Sequence, residues 1–111
     1  MGDVVDTETL EMLKEVMEDD FPLLLQTFID DALTRIPQLR EQLDANNADE
    51  LRRNAHSLKG SSGNVGAAGM TEICSRLESL ANQSQLQEAG DIINAIEAEF
   101  GRVRSALNAL L

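Results

Sequence analysis

The chain has 111 residues, enough for one modest core, and reads as a single domain over residues 1–111. Its 20 acidic residues against 9 basic ones leave a formal net charge of −11, which argues against nucleic acid and against an anionic membrane surface as partners. A lone cysteine, Cys74, permits no internal disulfide; with no apolar run near the ~18 residues of a membrane span and no signal-peptide pattern, the expectation is a soluble, cytoplasmic chain.

Leu, Ala, Glu, Gln and Asn dominate, and no segment alternates with period two for long. The spacing predicts a short first helix from Thr7 to Met17, capped by Asp6, with Leu10, Leu13, Val16 and Met17 as its apolar stripe. The acidic run Glu18-Asp19-Asp20 ends it. A second helix follows from Phe21 to Ala45, with Phe21, Leu24, Leu25, Phe28, Ile29, Ala32, Ile36, Leu39 and Leu43 recurring every three or four residues. Pro37 lies inside it and cannot donate to the carbonyl of Leu33, which predicts a kink or a break into two helices.

A third helix starts at Asn47, where Glu50 three residues on completes a capping-box pattern, and it ends near Asn64-Val65-Gly66. The fourth runs from Gly69 to Gln83 with Met70, Ile73, Cys74, Leu77, Leu80 and Ala81 inward. A second capping box, Ser84-Gln85-Leu86-Gln87, predicts the start of a fifth helix whose stripe is Ala89, Ile93, Ile96, Phe100, Val103, Leu107 and Leu110. The fold class is therefore all-α: an antiparallel four-helix up-down bundle with an additional short N-terminal helix. The stripes can all be buried internally, so a monomer is expected. The initial Met1 and a helix reaching Leu111 favour a free-standing protein.

The third helix carries the only histidine, His56. On a wheel of about 100° per residue, Gly60 falls near 40° from His56, Lys59 near 300°, Gly63 near 340°, Arg52 near 320° and Arg53 near 60°. Leu51, Leu58, Ser62 and Val65 take the opposite side. His56 thus points outward, among three cations on an acidic protein. Gly60 and Gly63 each weaken a helix by roughly 0.8–1 kcal/mol relative to alanine. Placed on the histidine's own face, they clear space for a close approach. Neutral imidazole is a good nucleophile, and Lys59 can neutralise the oxygens of a phosphoryl group carried on the ring. The chain lacks a glycine-rich nucleotide loop, a second catalytic base and a metal-binding cluster, so it has no equipment for kinase chemistry of its own.

The run His56-Ser57-Leu58-Lys59-Gly60-Ser61-Ser62, followed by Asn64-Val65-Gly66-Ala67, closely resembles the signature of histidine-containing phosphotransfer (HPt) domains of bacterial multistep phosphorelays. Ile73-Cys74-Ser75-Arg76-Leu77-Glu78 is similar to that family's fourth helix. The resemblance implies that His56 accepts a phosphoryl group from a receiver-domain aspartate and passes it to another receiver. Lys59 would assist and Gly60 would give access, with Arg52, Arg53 and Gly63 in the docking surface. It implies as partners the receiver domains of response regulators and of a hybrid sensor histidine kinase. It implies a stoichiometric phosphocarrier with no cofactor or metal of its own, Mg²⁺ residing on the receiver. Two other readings make different predictions. A helical module that docks on receivers without carrying phosphate would be indifferent to His56 chemistry. A purely structural histidine would be buried.

Overall fold

A computed structural model describes residues 4–111 of the chain. Met1, used above as a sign of a free-standing chain, lies outside the described residues. Five α-helices form: α1 (Thr7–Met17), α2 (Phe21–Asp44), α3 (Ala48–Asn64), α4 (Ala68–Asn82) and α5 (Ala89–Asn108). A single 3-10 turn, Glu18–Asp20, joins α1 to α2, and no strand occurs among the described residues.

The helix ends follow from individual residues. Asp6 accepts the amide of Glu8 and starts α1; Asn47 accepts the amide of Glu50 and starts α3, as the cap patterns predict. Three corners are closed by one motif. Asn46, Gly66 and Ser84 each take positive φ, at 54°, 75° and 54°. In each corner that residue donates three positions back, and the next residue reaches five back: Asn46 to Leu43 and Asn47 to Gln42, Gly66 to Gly63 and Ala67 to Ser62, Ser84 to Ala81 and Gln85 to Leu80. These paired bonds satisfy carbonyls that a helix end otherwise leaves open. At the end of α3, Gly66 is the residue that turns.

Ser84 therefore terminates α4 and does not cap α5. The fifth helix starts four residues later than the Ser84 capping pattern suggested, at Ala89, with Glu88 preceding it and no side-chain cap. Of the kink or break expected at Pro37, the break into two helices does not occur: α2 runs unbroken through it, with Pro37 on an exposed face. Leu33, whose carbonyl loses its donor, is also exposed, so water can donate in its place.

Helices α2 to α5 close into a ring, with α2 packed on α3 and α5, and α4 packed on α3 and α5. The connections of a few residues make neighbours antiparallel, giving the up-down bundle expected. Leu25, Leu39, Leu51, Leu58, Met70, Leu77, Ile93, Ile96 and Leu107 fill its core with essentially no exposure. Burying such side chains contributes on the order of 1.5–3 kcal/mol each before conformational entropy is counted. Helix α1 lies across the end where α2 begins and α5 finishes, with Leu10 buried and Val5 and Leu10 facing Phe21 and Ala106 across a shallow gap. Its stripe is narrower than predicted, because Val16 is 81% exposed. Leu110, beyond the end of α5, is exposed as well, while Ile92, absent from the predicted stripe, is buried.

Polar side chains fix the helices against each other. Asn54 on α3 is buried; its amide donates to the carbonyl of Arg35 at 3.0 Å and to Oε1 of Gln42 at 3.2 Å on α2. Ser62 on α3 shares a 2.9 Å hydrogen bond with Thr71 on α4. Arg40 on α2 donates to Asn94 and Glu97 on α5. The middle of α3 is thus held on both flanks, which keeps its remaining face rigid and in water.

Candidate functional site

His56 directly follows the buried Asn54-Ala55 pair on α3, and its side chain is 63% exposed. That exposure overturns the structural-histidine reading, which required a buried ring. The neighbours on α3 take the places that the wheel assigned. Gly60 presents open space: a Cβ built there meets nothing within 4 Å. Gly63 lines, with Lys59, Gly66 and Thr71, a cleft of about 600 Å³ between α3, α4 and the segment before α1.

The residue that sequence reasoning missed is Glu78 on α4. Its Oε2 lies 2.8 Å from His56 Nδ1, and its Oε1 lies 2.6 Å from Lys59 Nζ. A carboxylate only accepts, so Nδ1 carries the proton and donates. In the neutral imidazole the second ring nitrogen, Nε2, then keeps its lone pair, and the ring is held by a side chain from another helix. The Lys59 ammonium, and secondarily the His56 ring, hold the Glu78 carboxyl below the usual carboxylate range, against the opposing effect of partial burial. A sequence signal existed: Glu78 stands four residues after Cys74 and one after Leu77, at the edge of the α4 stripe. Only the pairing of α3 with α4 gives it a partner.

The three cations around His56 do not form an uncompensated basic patch. Arg52 pairs with Asp49 at 3.3 Å, Arg53 with Asp49 at 3.1 Å and Glu50 at 3.5 Å, and Lys59 with Glu78. The arginine pairs are exposed and of small energetic weight, so both side chains can be drawn to another anion. Ser61 is half-buried and donates to the Leu58 carbonyl; Ser62 is fully buried. Both are packing residues. Cys74 is buried in the core, and burial pushes its thiol up to about 12. Among the described residues, no group of three or more His, Cys, Asp or Glu is placed to hold a metal ion, and no helix is long and apolar enough to cross a membrane.

On the other flank of α3, Leu24, Thr27 and Phe28 of α2 border a shallow groove with Ser61 and Val65. The site is therefore an exposed imidazole, oriented through Nδ1, with one ammonium beside it and a side-chain-free turn after it. Such a ring can attack an electrophilic phosphorus and carry the group in the open.

The Hpt domain family matches residues 23–106 of this chain. The chain is 39% identical to histidine-containing phosphotransfer protein B of Pseudomonas aeruginosa, whose crystal structure superposes with a TM-score of 0.95 over 98% of this chain and 95% of that one. A histidine-containing phosphotransfer protein of maize superposes at 0.85, with 25% identity over 96% of this chain and 88% of the other. Histidine-containing phosphotransfer protein 1 of rice is 30% identical over 107 residues, which span 94% of this chain and 73% of the rice protein. The chain belongs to the Hpt domain family, and its function is histidine phosphotransfer in a phosphorelay.

Proposed function

We infer that His56 is the phosphoacceptor. The observation that carries this reading is the Nδ1–Glu78 contact on an exposed ring, which leaves Nε2 as the free nucleophile facing solvent. The Nε2 lone pair attacks the phosphorus of a receiver's aspartyl phosphate. An N–P bond forms, the P–O bond to the aspartate breaks, and its electron pair returns to the carboxylate. The reverse step at a second receiver discharges the histidine. Lys59 offsets charge on the transferring phosphoryl oxygens, a role favoured by its placement one turn from the ring. Gly60 lets the receiver's acidic pocket close over the imidazole, in keeping with the open space beside it.

Docking centres on α3. Arg52, Arg53 and Gly63 flank the histidine along the helix, and the apolar groove of Leu24 and Phe28 offers a contact on α2. The partners are receiver domains of response regulators and of a hybrid sensor kinase, which bring the Mg²⁺. The chain acts as a stoichiometric carrier in the cytoplasm, without ATP-dependent kinase activity of its own.

The test is transfer from an isolated receiver domain charged on its aspartate with radiolabelled acetyl phosphate. Wild type acquires acid-labile label, and His56→Gln acquires none. Label that persists on His56→Gln would refute the assignment.

A further inference from the structure

Glu78 serves two donors with one carboxylate. Oε2 takes the His56 Nδ1 proton at 2.8 Å and Oε1 takes Lys59 Nζ at 2.6 Å, so both oxygens are engaged in the resting protein. The carboxylate is only 20% exposed and Lys59 only 32%, so water screens this pair less than it screens the arginine pairs along α3. On α3, Lys59 is the cation one turn beyond His56 on the same face; Arg52 and Arg53 sit a turn before it and have acids of their own. A phosphoryl group arriving on Nε2 carries about two negative charges near neutral pH. It must draw Lys59 away from Glu78 or share an ammonium that Glu78 already neutralises.

We propose that Glu78 sets the phosphoryl-transfer potential of His56 by competing with the phosphoryl group for Lys59. The competition destabilises phosphohistidine relative to free histidine and makes it a better donor. The carboxylate that orients the ring for attack thereby also limits how firmly the product is held. This suits a carrier that must give up what it takes. The proposal rests on the reading of His56 as acceptor.

The experiment is an equilibrium with N-phosphoimidazole at pH 8, chosen so that no receiver interface enters. In the exchange, the N–P bond of the donor breaks with its electron pair returning to imidazole, and an N–P bond forms from His56 Nε2; no redox partner is needed. The ratio of phosphorylated to free protein, at fixed imidazole and phosphoimidazole, gives an equilibrium constant independent of orientation effects on rate. Four proteins are compared: wild type, Glu78→Gln, Lys59→Gln and the double variant, each first shown to melt cooperatively. Glu78→Gln raises the constant roughly three- to tenfold, the range expected for a partly shielded ion pair. In the Lys59→Gln background the same substitution has at least a threefold smaller effect, because the competitor is gone. Equal factors in both backgrounds, no change, or a fall in the constant on Glu78→Gln would overturn the proposal. Absence of label on His56 in the wild type is a separate result that would defeat the acceptor assignment itself.

Discussion

The amide of Asp6 donates to the carbonyl of Gly66 across 2.8 Å, tying the segment before α1 to the corner where α3 ends. The same Asp6 caps α1 and accepts from the hydroxyl of Thr9. One acidic residue therefore starts the first helix and docks it beside the helix that carries His56.

Gly66 is held there by both conformation and space. Its φ is +75°, and a Cβ would lie 3.2 Å from Thr9 Cβ and 3.3 Å from both Asp6 Cβ and the Asp6 amide nitrogen. Left-handed backbone is unfavourable for alanine, and the crowding adds to it. Gly66→Ala is expected to lose about 1–3 kcal/mol in a urea melt. A change within about 0.5 kcal/mol, the scale of an unremarkable surface substitution, would contradict the role given to this corner.

Gly60 and Gly101 form a matched pair. Both are exposed, both sit inside helices, and at neither does a Cβ meet anything within 4 Å. Alanine at either position should stabilise the fold by about 0.8–1 kcal/mol through helix propensity. Their functional consequences should differ. Gly60→Leu is expected to slow phosphoryl transfer from a receiver by an order of magnitude or more, whereas Gly101→Leu leaves it unchanged. Equal transfer rates for the two leucine variants would show that the gap after His56 is not needed for access.

Asn54 is the buried polar link between α3 and α2. Truncation to alanine removes both donors and leaves the half-buried Gln42 carbonyl oxygen without this partner. A loss of roughly 1–3 kcal/mol is expected from an unsatisfied buried acceptor. Chemical denaturation at constant m-value measures it. Unchanged stability would mean that water replaces the amide without penalty.

Much of this molecule was legible in its residues. The α2 stripe predicts burial correctly at Phe21, Leu25, Phe28, Ile29, Ala32, Ile36 and Leu39, because a long helix in a ring of helices shows one face to the core. The caps at Asp6 and Asn47 are local chemistry and emerge as read. The error at Ser84 is equally local in origin. A serine followed three residues later by glutamine has the pattern of a helix start, but Ser84 is needed first to end α4, and one residue cannot do both. Val16 fits the α1 period but has no neighbour to pack on, because α1 lies across the bundle end and is not inside it. His56, Lys59 and Gly60 share a face by helical spacing alone. Glu78 joins them from 22 residues away, through packing that no single-helix wheel contains.

Cys74 should be inert in the folded protein. It is fully buried, and desolvation raises its thiol to about 12, so almost no thiolate exists near neutral pH. Iodoacetamide at pH 8 is expected to leave the native protein unmodified over hours and to alkylate it completely in denaturing urea. Modification of native protein at the rate of a free thiol would show that the α4 face opens far more often than its packing implies.

The Glu78 contacts make a statement about stability against pH. Lys59 first, and His56 second, hold the Glu78 carboxyl below the usual carboxylate range in the folded state. In the unfolded chain it titrates at about 4.3. A depressed folded value means that the unfolded state binds the proton more readily. The contribution is thus fully present above the unfolded value and is lost as pH falls through the folded one. Glu78→Gln cannot titrate and keeps the shape of the side chain. Unfolding free energies of wild type and Glu78→Gln should therefore differ by a constant amount between about pH 5 and 6. The two curves should converge below about pH 4 as the wild-type carboxyl takes up its proton. Curves that stay parallel down to acid unfolding would mean that the carboxylate's charge contributes nothing to holding α4 against α3, and that its contacts with Lys59 and His56 are geometric only.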